Sequence, residues 1–245
     1  MIKLIPLTCT FLAGISTLLG YLIIFINKKY QEKTIVFSLS FSAGILLSIS
    51  ILQLIPESYK LLKINDNILK IIIFLIILNI GLILSNKISK IKYINNTNSL
   101  YRLGILSVII IILHNIPEGI ITYITTSNNI LLGLKLTLGI AIHNIPEGIT
   151  IAVPIYYSTL SKKKALLITS ISAFSETLGA ILCALLFEKY ITNNILSIIL
   201  GITAALMIEI SIKELLREAL NYKKYKLTII SFTLGIIIML IGTLL

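Results

Sequence analysis

Charged residues are scarce in this sequence of 245 residues: they make up 13% of it, and only 10 of them are acidic. Hydrophobic residues make up 57%, and the mean hydropathy is +1.01. Such a chain has too little polar surface to cover one water-soluble core, which excludes an ordinary soluble domain. The composition predicts an integral membrane protein instead.

Cysteine is scarce too, and several sequence motifs of catalytic sites are missing. Cys9 and Cys183 lie far apart inside apolar runs and form no CxxC pair, which argues against a disulfide framework or a thiolate metal site. No GxxxxGK[ST] loop occurs, so the sequence offers no site for ATP-driven transport. The HExxH word of metalloproteases is also absent. We expect no bound cofactor.

Apolar runs of about 20 residues predict eight membrane-spanning helices in a single polytopic domain that covers residues 1–245. The predicted spans are 4–26, 34–55, 68–84, 103–125, 130–157, 165–187, 195–211 and 227–244. The first span is full length and has no small-residue cleavage site before its charged flank, so we expect it to be retained. The predicted fold class is all-α.

The net charge of +11 is unevenly distributed along the chain. Most of the 21 lysines and arginines follow odd-numbered spans, in the connections at 28–33, 87–102, 162–164 and 213–226. Cytoplasmic connections of membrane proteins carry the excess of Lys and Arg, so we predict that both termini face outward. We expect these side chains to meet membrane lipids rather than nucleic acid, in the plasma (inner) membrane of a bacterium.

The only two histidines open the same word of six residues, His-Asn-Ile-Pro-Glu-Gly, at 114–119 and at 143–148. On a helix, the His and the Glu of this word share a face, and the Asn lies beside the same Glu. The proline removes a backbone hydrogen bond, so we expect a loosened helix at a polar cluster. Polar groups at this depth are costly in a membrane, which favours a substrate pathway.

Three spans are expected to bring polar residues to one depth near the bilayer midplane, because His114, His143 and Glu176 all lie near the middle of a span. Imidazole, carboxylate and amide oxygen are suitable ligands for zinc, iron(II), manganese and cobalt(II). We predict a two-metal site in which Glu118 and Glu147 are shared. The remaining ligands form two groups, His114 with His143, and Asn115 with Asn144 and Glu176.

A weaker repeat links spans two and seven. Ile49-Ser50-Ile51 matches Ile210-Ser211-Ile212, and a Leu and a Glu follow each triplet at the same offset of 161 residues. Because span two should run outward and span seven inward, this pattern predicts the inverted-repeat architecture of transporters.

The remaining acidic residues have ordinary interpretations. Glu57 is predicted at the outer end of span two, either as a solvated carboxylate or as a residue that recruits cations to an outer vestibule. Glu209, Glu214 and Glu218 stand among basic residues at the inner end of span seven, so we expect solvated charges there.

The two words, with Ser-Glu-Thr-Leu-Gly-Ala at 175–180, resemble the ZIP (Zrt/Irt-like) metal-ion transporters, especially their ZupT-like bacterial branch. The resemblance covers the whole chain. It implies a homodimer with eight spans and outward termini that takes up zinc, and also iron, manganese, cobalt or cadmium, into the cytosol. It implies one metal held by His114, Glu118, His143 and Glu147, and another held by Asn115, Glu118, Asn144, Glu147 and Glu176.

The sequence departs from the family pattern in two places. No histidine-rich loop lies between spans three and four, and Thr177 stands where relatives commonly have proline. Two enzymes are the alternatives. An intramembrane metal-dependent hydrolase lacks an evident nucleophile here, and a di-iron oxidase calls for Glu-x-x-His, whereas this chain has His-x-x-x-Glu. We therefore expect a transporter and no enzyme, working by alternating access.

Overall fold

The described part of the chain is helical throughout. The computed structural model describes residues 3–25, 31–89, 98–187 and 192–244, and no strand occurs within these ranges. The helices, numbered α1 to α8, are Leu4–Tyr21, Gln31–Leu61, Asn67–Ser89, Ser99–Asn128, Ile130–Thr159, Lys162–Leu182, Asn193–Asn221 and Tyr225–Leu244. Ile26 of the first predicted span and the basic residues Lys28, Lys29, Lys90, Lys92 and Lys189 lie outside the described residues.

Seven of these helices, α1 to α7, are long and apolar enough to cross a membrane, and α8 is an apolar helix of 20 residues. Large apolar side chains are exposed along them, as at Ile68, Leu75 and Ile83 of α3. An apolar surface of this extent is stable in lipid and not in water. The prediction of an all-α membrane protein is thereby confirmed.

The helix ends follow from local sequence. Asn129 alone separates α4 from α5, and its extended backbone ends one helix while its side chain accepts a hydrogen bond from the amide of Leu132 in the next. A single connecting residue makes α4 and α5 antiparallel neighbours. Ser161 caps α6 and Thr192 caps α7 in the same way, by accepting from the amides of Lys164 and Ile195.

The helices form two blocks. In the first block, α1 packs against α5 and α6, and α4 packs against the same two helices. In the second block, α2 packs against α7 and α8, and α3 packs against α7. The blocks meet where α2 contacts α5 and α4 contacts α7, across an apolar cluster that includes Leu39, Leu106, Val153 and Met207.

Basic residues gather at one end of the bundle, which we call the basic end. It is marked by the pairs Arg102–Glu214 at 2.7 Å, Lys224–Glu32 at 2.6 Å, and Lys162 over the ring of Phe25 at 4.2 Å. The first of these pairs joins the two blocks, as does a hydrogen bond of 2.9 Å from the Ser99 hydroxyl to Glu218. At this end, polar contacts therefore hold the blocks together.

Two helices contain an internal π-helical turn, and a third such turn in the described residues, Cys183–Phe187, directly follows α6. The turn covers Ser50–Leu54 in α2 and Ile210–Leu216 in α7. At each one a serine hydroxyl donates 2.7 Å to the carbonyl four residues earlier, Ser50 to Leu46 and Ser211 to Met207. Such turns insert one extra residue into a helix and often mark functional sites.

Candidate metal site

The two six-residue words face each other inside the first block. His114 lies near the middle of α4 and His143 near the middle of α5, and their ring centroids are 6.3 Å apart. Both helices stay α-helical through Pro117 and Pro146, so the expected loosening does not appear as a change of helix type. Antiparallel packing of α4 on α5 thus brings the two histidines to one cluster.

Glu118 is the centre of the histidine group. Its Oε1 lies 3.0 Å from His143 Nε2, and its Oε2 lies 3.4 Å from His114 Nε2. His114 Nε2 is also 3.7 Å from Glu147 Oε1. Ligand atoms of His114, His143 and Glu147 all lie within 4.8 Å of one another, and all four side chains are buried. The four residues predicted for the first metal are therefore brought together.

The asparagines connect the words to α1 and α6. The Asn144 amide donates to Glu176 Oε2 at 2.8 Å and to the Ala13 carbonyl at 2.9 Å. The Asn115 amide donates to the Ser172 carbonyl at 3.3 Å. Because the amide nitrogens are engaged, the amide oxygens are left to face other groups; this orientation follows from the hydrogen-bond network.

Glycine allows these helices to approach closely. A Cβ at Gly119 would collide with the carbonyl of Glu176 on α6, and a Cβ at Gly148 would collide with the carbonyl of Thr17 on α1. Each word therefore ends at a backbone contact that places a neighbouring helix directly beside its glutamate.

Several buried polar side-chain atoms of the cluster have no hydrogen-bond partner in the described part of the chain. They are His114 Nδ1 and Nε2, Asn115 Oδ1, Asn144 Oδ1, Glu118 Oε2, Glu176 Oε1 and both carboxylate oxygens of Glu147. Buried polar atoms are normally paired, so this number of atoms without a partner is costly. A divalent cation satisfies oxygen and imidazole lone pairs together, and the residues present fit zinc, iron(II), manganese or cobalt(II).

Two cavities border this cluster on the side away from the basic end. One, of about 20 Å³, is lined by Gln53, Glu57, His114 and Glu118. The other, of about 410 Å³, is lined by His143, Gln53 and residues of α5 and α8. Glu57 is thus half-buried beside the cluster, not simply solvated, and Gln53 was missed because a single glutamine in an apolar run gives no periodic signal.

A third cavity, of about 50 Å³, lies toward the basic end between α3, α4 and α7 and is lined in part by Glu209 and Glu214. Glu209 is buried, and its Oε1 lies 2.7 Å from Lys213 Nζ. The expectation of a solvated charge at Glu209 is therefore wrong, because α4 covers this face of α7.

Comparison with known proteins agrees with this geometry. The family model for the ZIP zinc transporters matches residues 85–243. The zinc transporter ZupT of Streptococcus mutans is 36% identical over 251 residues, which cover 96% of this chain and 95% of that protein. The ZupT proteins of Chlorobium chlorochromatii and Clostridium perfringens are 32% and 33% identical, over 96% of this chain and 95% and 94% of theirs.

A buried His/Glu cluster in a bundle of apolar helices, together with these matches, defines a membrane transporter rather than an enzyme. The chain belongs to the ZIP family of zinc transporters and is similar to its ZupT members. The family prediction made from the two words is confirmed.

Proposed function

We propose that the protein carries zinc through the cluster around Glu118 and Glu147 into the cytosol, and that iron, manganese, cobalt and cadmium are further cargo. The observation that carries this proposal is the group of buried imidazole, carboxylate and amide atoms that have no hydrogen-bond partner among the described residues. The relatives' name as zinc transporters supports zinc as the main cargo.

The centre is binuclear in this proposal. Glu118 and Glu147 are shared; His114 and His143 complete one metal, and Asn115, Asn144 and Glu176 complete the other. The 3.0 Å and 3.4 Å distances from Glu118 to the two histidines, and the contact of Asn144 with Glu176, support this division. The cluster's position in the middle of α4 and α5 supports a site near the bilayer midplane.

An inverted repeat is supported by paired contacts. Asn144 of α5 donates to the Ala13 carbonyl of α1, and Asn115 of α4 donates to the Ser172 carbonyl of α6. The π-helical turns of α2 and α7 form a second pair, with their serines 161 residues apart. We infer that α1 to α3 and α6 to α8 are related by a pseudo-two-fold axis, with α8 as the eighth span.

The cavities support alternating access. The groove of about 410 Å³ contains Gln53, whose counterpart at the offset of 161 is Glu214, and Glu214 lines the cavity of about 50 Å³ toward the basic end. Symmetry-related cavities of unequal size are expected when one face is open and the other closed. With the basic end in the cytosol, both termini lie outside and the groove faces outward.

Uptake follows when the first block moves against the second, so that the cavity of about 410 Å³ closes and the cavity of about 50 Å³ opens. Moving a double charge inward across ~100 mV releases about 4.6 kcal/mol, which is sufficient to drive uptake. We place the protein in the plasma membrane, with lipid against its exposed apolar side chains. We also infer a homodimer, which rests on the family resemblance.

The deciding experiment uses purified protein in liposomes that contain a zinc-sensitive dye. We expect zinc influx that depends on an inside-negative potential, and no cleavage of lipid or added peptide. Glu32→Gln is the matched control, since this exposed carboxylate pairs with Lys224 at the basic end and should leave influx unchanged. Hydrolysis without influx would instead favour the metal-dependent hydrolase.

A further inference from the structure

Helix α1 carries a counterpart of the α6 segment that contains Glu176. Residues 13–20 read Ala-Gly-Ile-Ser-Thr-Leu-Leu-Gly and residues 172–179 read Ser-Ala-Phe-Ser-Glu-Thr-Leu-Gly, at a constant offset of 159. Ser16 and Ser175 occupy equivalent positions, and each hydroxyl donates 2.6 Å to the carbonyl three residues earlier. The position equivalent to Glu176 is Thr17.

The packing of the two segments follows the same correspondence. The carbonyl of Glu176 lies against Gly119 of the first word, and the carbonyl of Thr17 lies against Gly148 of the second word. A Cβ at Gly179 would meet the carbonyl of Ile116, and a Cβ at Gly20 would meet the carbonyl of Ile145. Since backbone and hydrogen-bond contacts agree, Thr17 and Glu176 are equivalent in three dimensions as well as in sequence.

The hydroxyl of Thr17 is fully buried and has no hydrogen-bond partner among the described residues. A helical threonine usually bonds to the carbonyl four residues earlier, as Thr169 does to Ala165 at 2.8 Å. For Thr17 that acceptor is the Ala13 carbonyl, which already accepts from Ser16 at 2.6 Å and Asn144 at 2.9 Å. The hydroxyl oxygen is therefore left available for another group.

By the same symmetry, Thr17 serves the side of the second metal on which Asn115 lies, as Glu176 serves the side on which Asn144 lies. Glu176 bonds to Asn144, so a side chain at position 17 is directed toward Asn115, whose Oδ1 also has no partner within the described ranges. Within the described ranges the side chain of Asn144 makes two hydrogen bonds and that of Asn115 makes one, which agrees with a short neutral side chain at position 17.

We propose that Thr17 is a specificity-determining residue of the metal centre, which supplies a neutral hydroxyl oxygen where the repeat would otherwise supply a fourth carboxylate. This inference rests on the proposed function. Two divalent cations bring four positive charges, and Glu118, Glu147 and Glu176 bring three negative ones. The second metal therefore meets a neutral hydroxyl on its Asn115 side and a carboxylate on its Asn144 side, so it is held less tightly than a fourth carboxylate would hold it, as conduction requires of a site that must also release its ion.

A thiol placed at this position tests whether the side chain faces the metal. We expect Thr17→Cys to give the ultraviolet charge-transfer band of a cadmium–thiolate bond, and to raise cadmium affinity relative to manganese at least 10-fold, because thiolates prefer soft metals. Thr10→Cys is the matched control: Thr10 is buried on the same helix, but its hydroxyl bonds to the carbonyls of Pro6 and Leu7.

The experiment distinguishes a failure of the proposed function from a failure of the role proposed for Thr17. Absence of cadmium and zinc binding in the unchanged protein would refute the proposed function itself. Normal binding by the unchanged protein, with no new band in Thr17→Cys or with the same band in Thr10→Cys, would overturn the role of Thr17 alone.

An exchange of the two equivalent residues tests the charge argument. We expect Glu176→Thr to weaken zinc binding at least 10-fold, and addition of Thr17→Glu to restore most of the affinity, measured by titration calorimetry with zinc alone. Thr17→Gln with Glu176→Thr is the uncharged control and should restore nothing. Equal affinity of the Glu and Gln exchanges would refute the proposal, and so would a Glu exchange that, unlike the Gln exchange, fails to fold even with zinc.

Discussion

The two copies of the six-residue word have identical sequences but different surroundings. The word on α5 is next to α1 and opens to a cavity of about 410 Å³, whereas the word on α4 is next to α6 and lies beside a cavity of about 20 Å³. Glu118 is within 3.4 Å of both histidines, while neither oxygen of Glu147 has a hydrogen-bond donor in the described ranges. Two identical sets of side chains are thus made unequal by their neighbours.

Removal of either shared glutamate should have the largest effect. We expect Glu118→Ala and Glu147→Ala each to reduce zinc uptake by at least about 100-fold, more than the loss usual for residues that only support a ligand. Each variant should also bind fewer than two zinc ions, by titration calorimetry. Near-normal uptake in either variant, with the protein present in the membrane, would contradict the shared role.

The histidines sharpen the same comparison. We expect His143→Ala to change the ratio of zinc to manganese uptake about 10-fold, since imidazole favours zinc and carboxylates favour manganese. His143 lines the large groove and contacts Glu118 at 3.0 Å. Competition uptake with both metals measures the ratio, and an unchanged ratio would argue against His143 as a ligand.

The glycines test whether both words depend on close helix packing. We expect Gly119→Ala and Gly148→Ala to destabilise the protein by about 2–3 kcal/mol, because an added methyl group would collide with a carbonyl of α6 or α1. Thermal unfolding in detergent measures this loss. Gly139→Ala is the control, since a Cβ there meets nothing within 4 Å; equal destabilisation of all three variants would contradict the packing argument.

The contacts between the blocks at the basic end should control which cavity is open. We expect Arg102→Gln, which removes the ion pair with Glu214, to increase the population of the state that is open at the basic end by about 5-fold. A cysteine replacing Ser85 in the small cavity should then react faster with a thiol reagent, and one replacing Gly139 in the large groove should react more slowly.

Lys224→Gln is the control for this shift, because its ion pair with Glu32 lies within the second block. Cys9 and Cys183 are buried and should contribute little background. If only one of the two introduced cysteines changed its reactivity, the two openings would not be coupled.

The smallest effect is expected at the mouth of the large groove. Lys135, Gly139 and His143 are four residues apart on one face of α5, and no ion pair to Lys135 is found in the described part of the chain. We expect Lys135→Gln to lower the KM for zinc about 2–3-fold, because a repelling charge is removed, and high salt to abolish the difference. Lys135→Arg keeps the charge and should behave as the unchanged protein.

Several parts of the fold and site could be predicted from the sequence because they depend on composition or short spacing. The apolar runs indicated membrane helices, and the position of His114 and Glu118 four residues apart indicated one helical face. Thr17 was missed although the match of residues 13–20 to 172–179 was present, because conservative matches in apolar sequence are frequent by chance. The burial of Glu209 could not be predicted, since it depends on which helix covers α7.

The sequence by itself determined that the chain is helical and apolar, that its two histidines belong to two copies of one word, and that those copies lie on adjacent antiparallel helices. Only the tertiary structure decided that Asn144 contacts Glu176 while Asn115 contacts Ser172, and that the cavity beside His143 is large while the one beside Glu209 is small. The physical reason is the separation along the chain between the residues that interact. Helix formation depends on residues within a few positions, whereas the environment of a buried carboxylate depends on other helices, as Glu118 depends on His143 and Glu176 on Asn144.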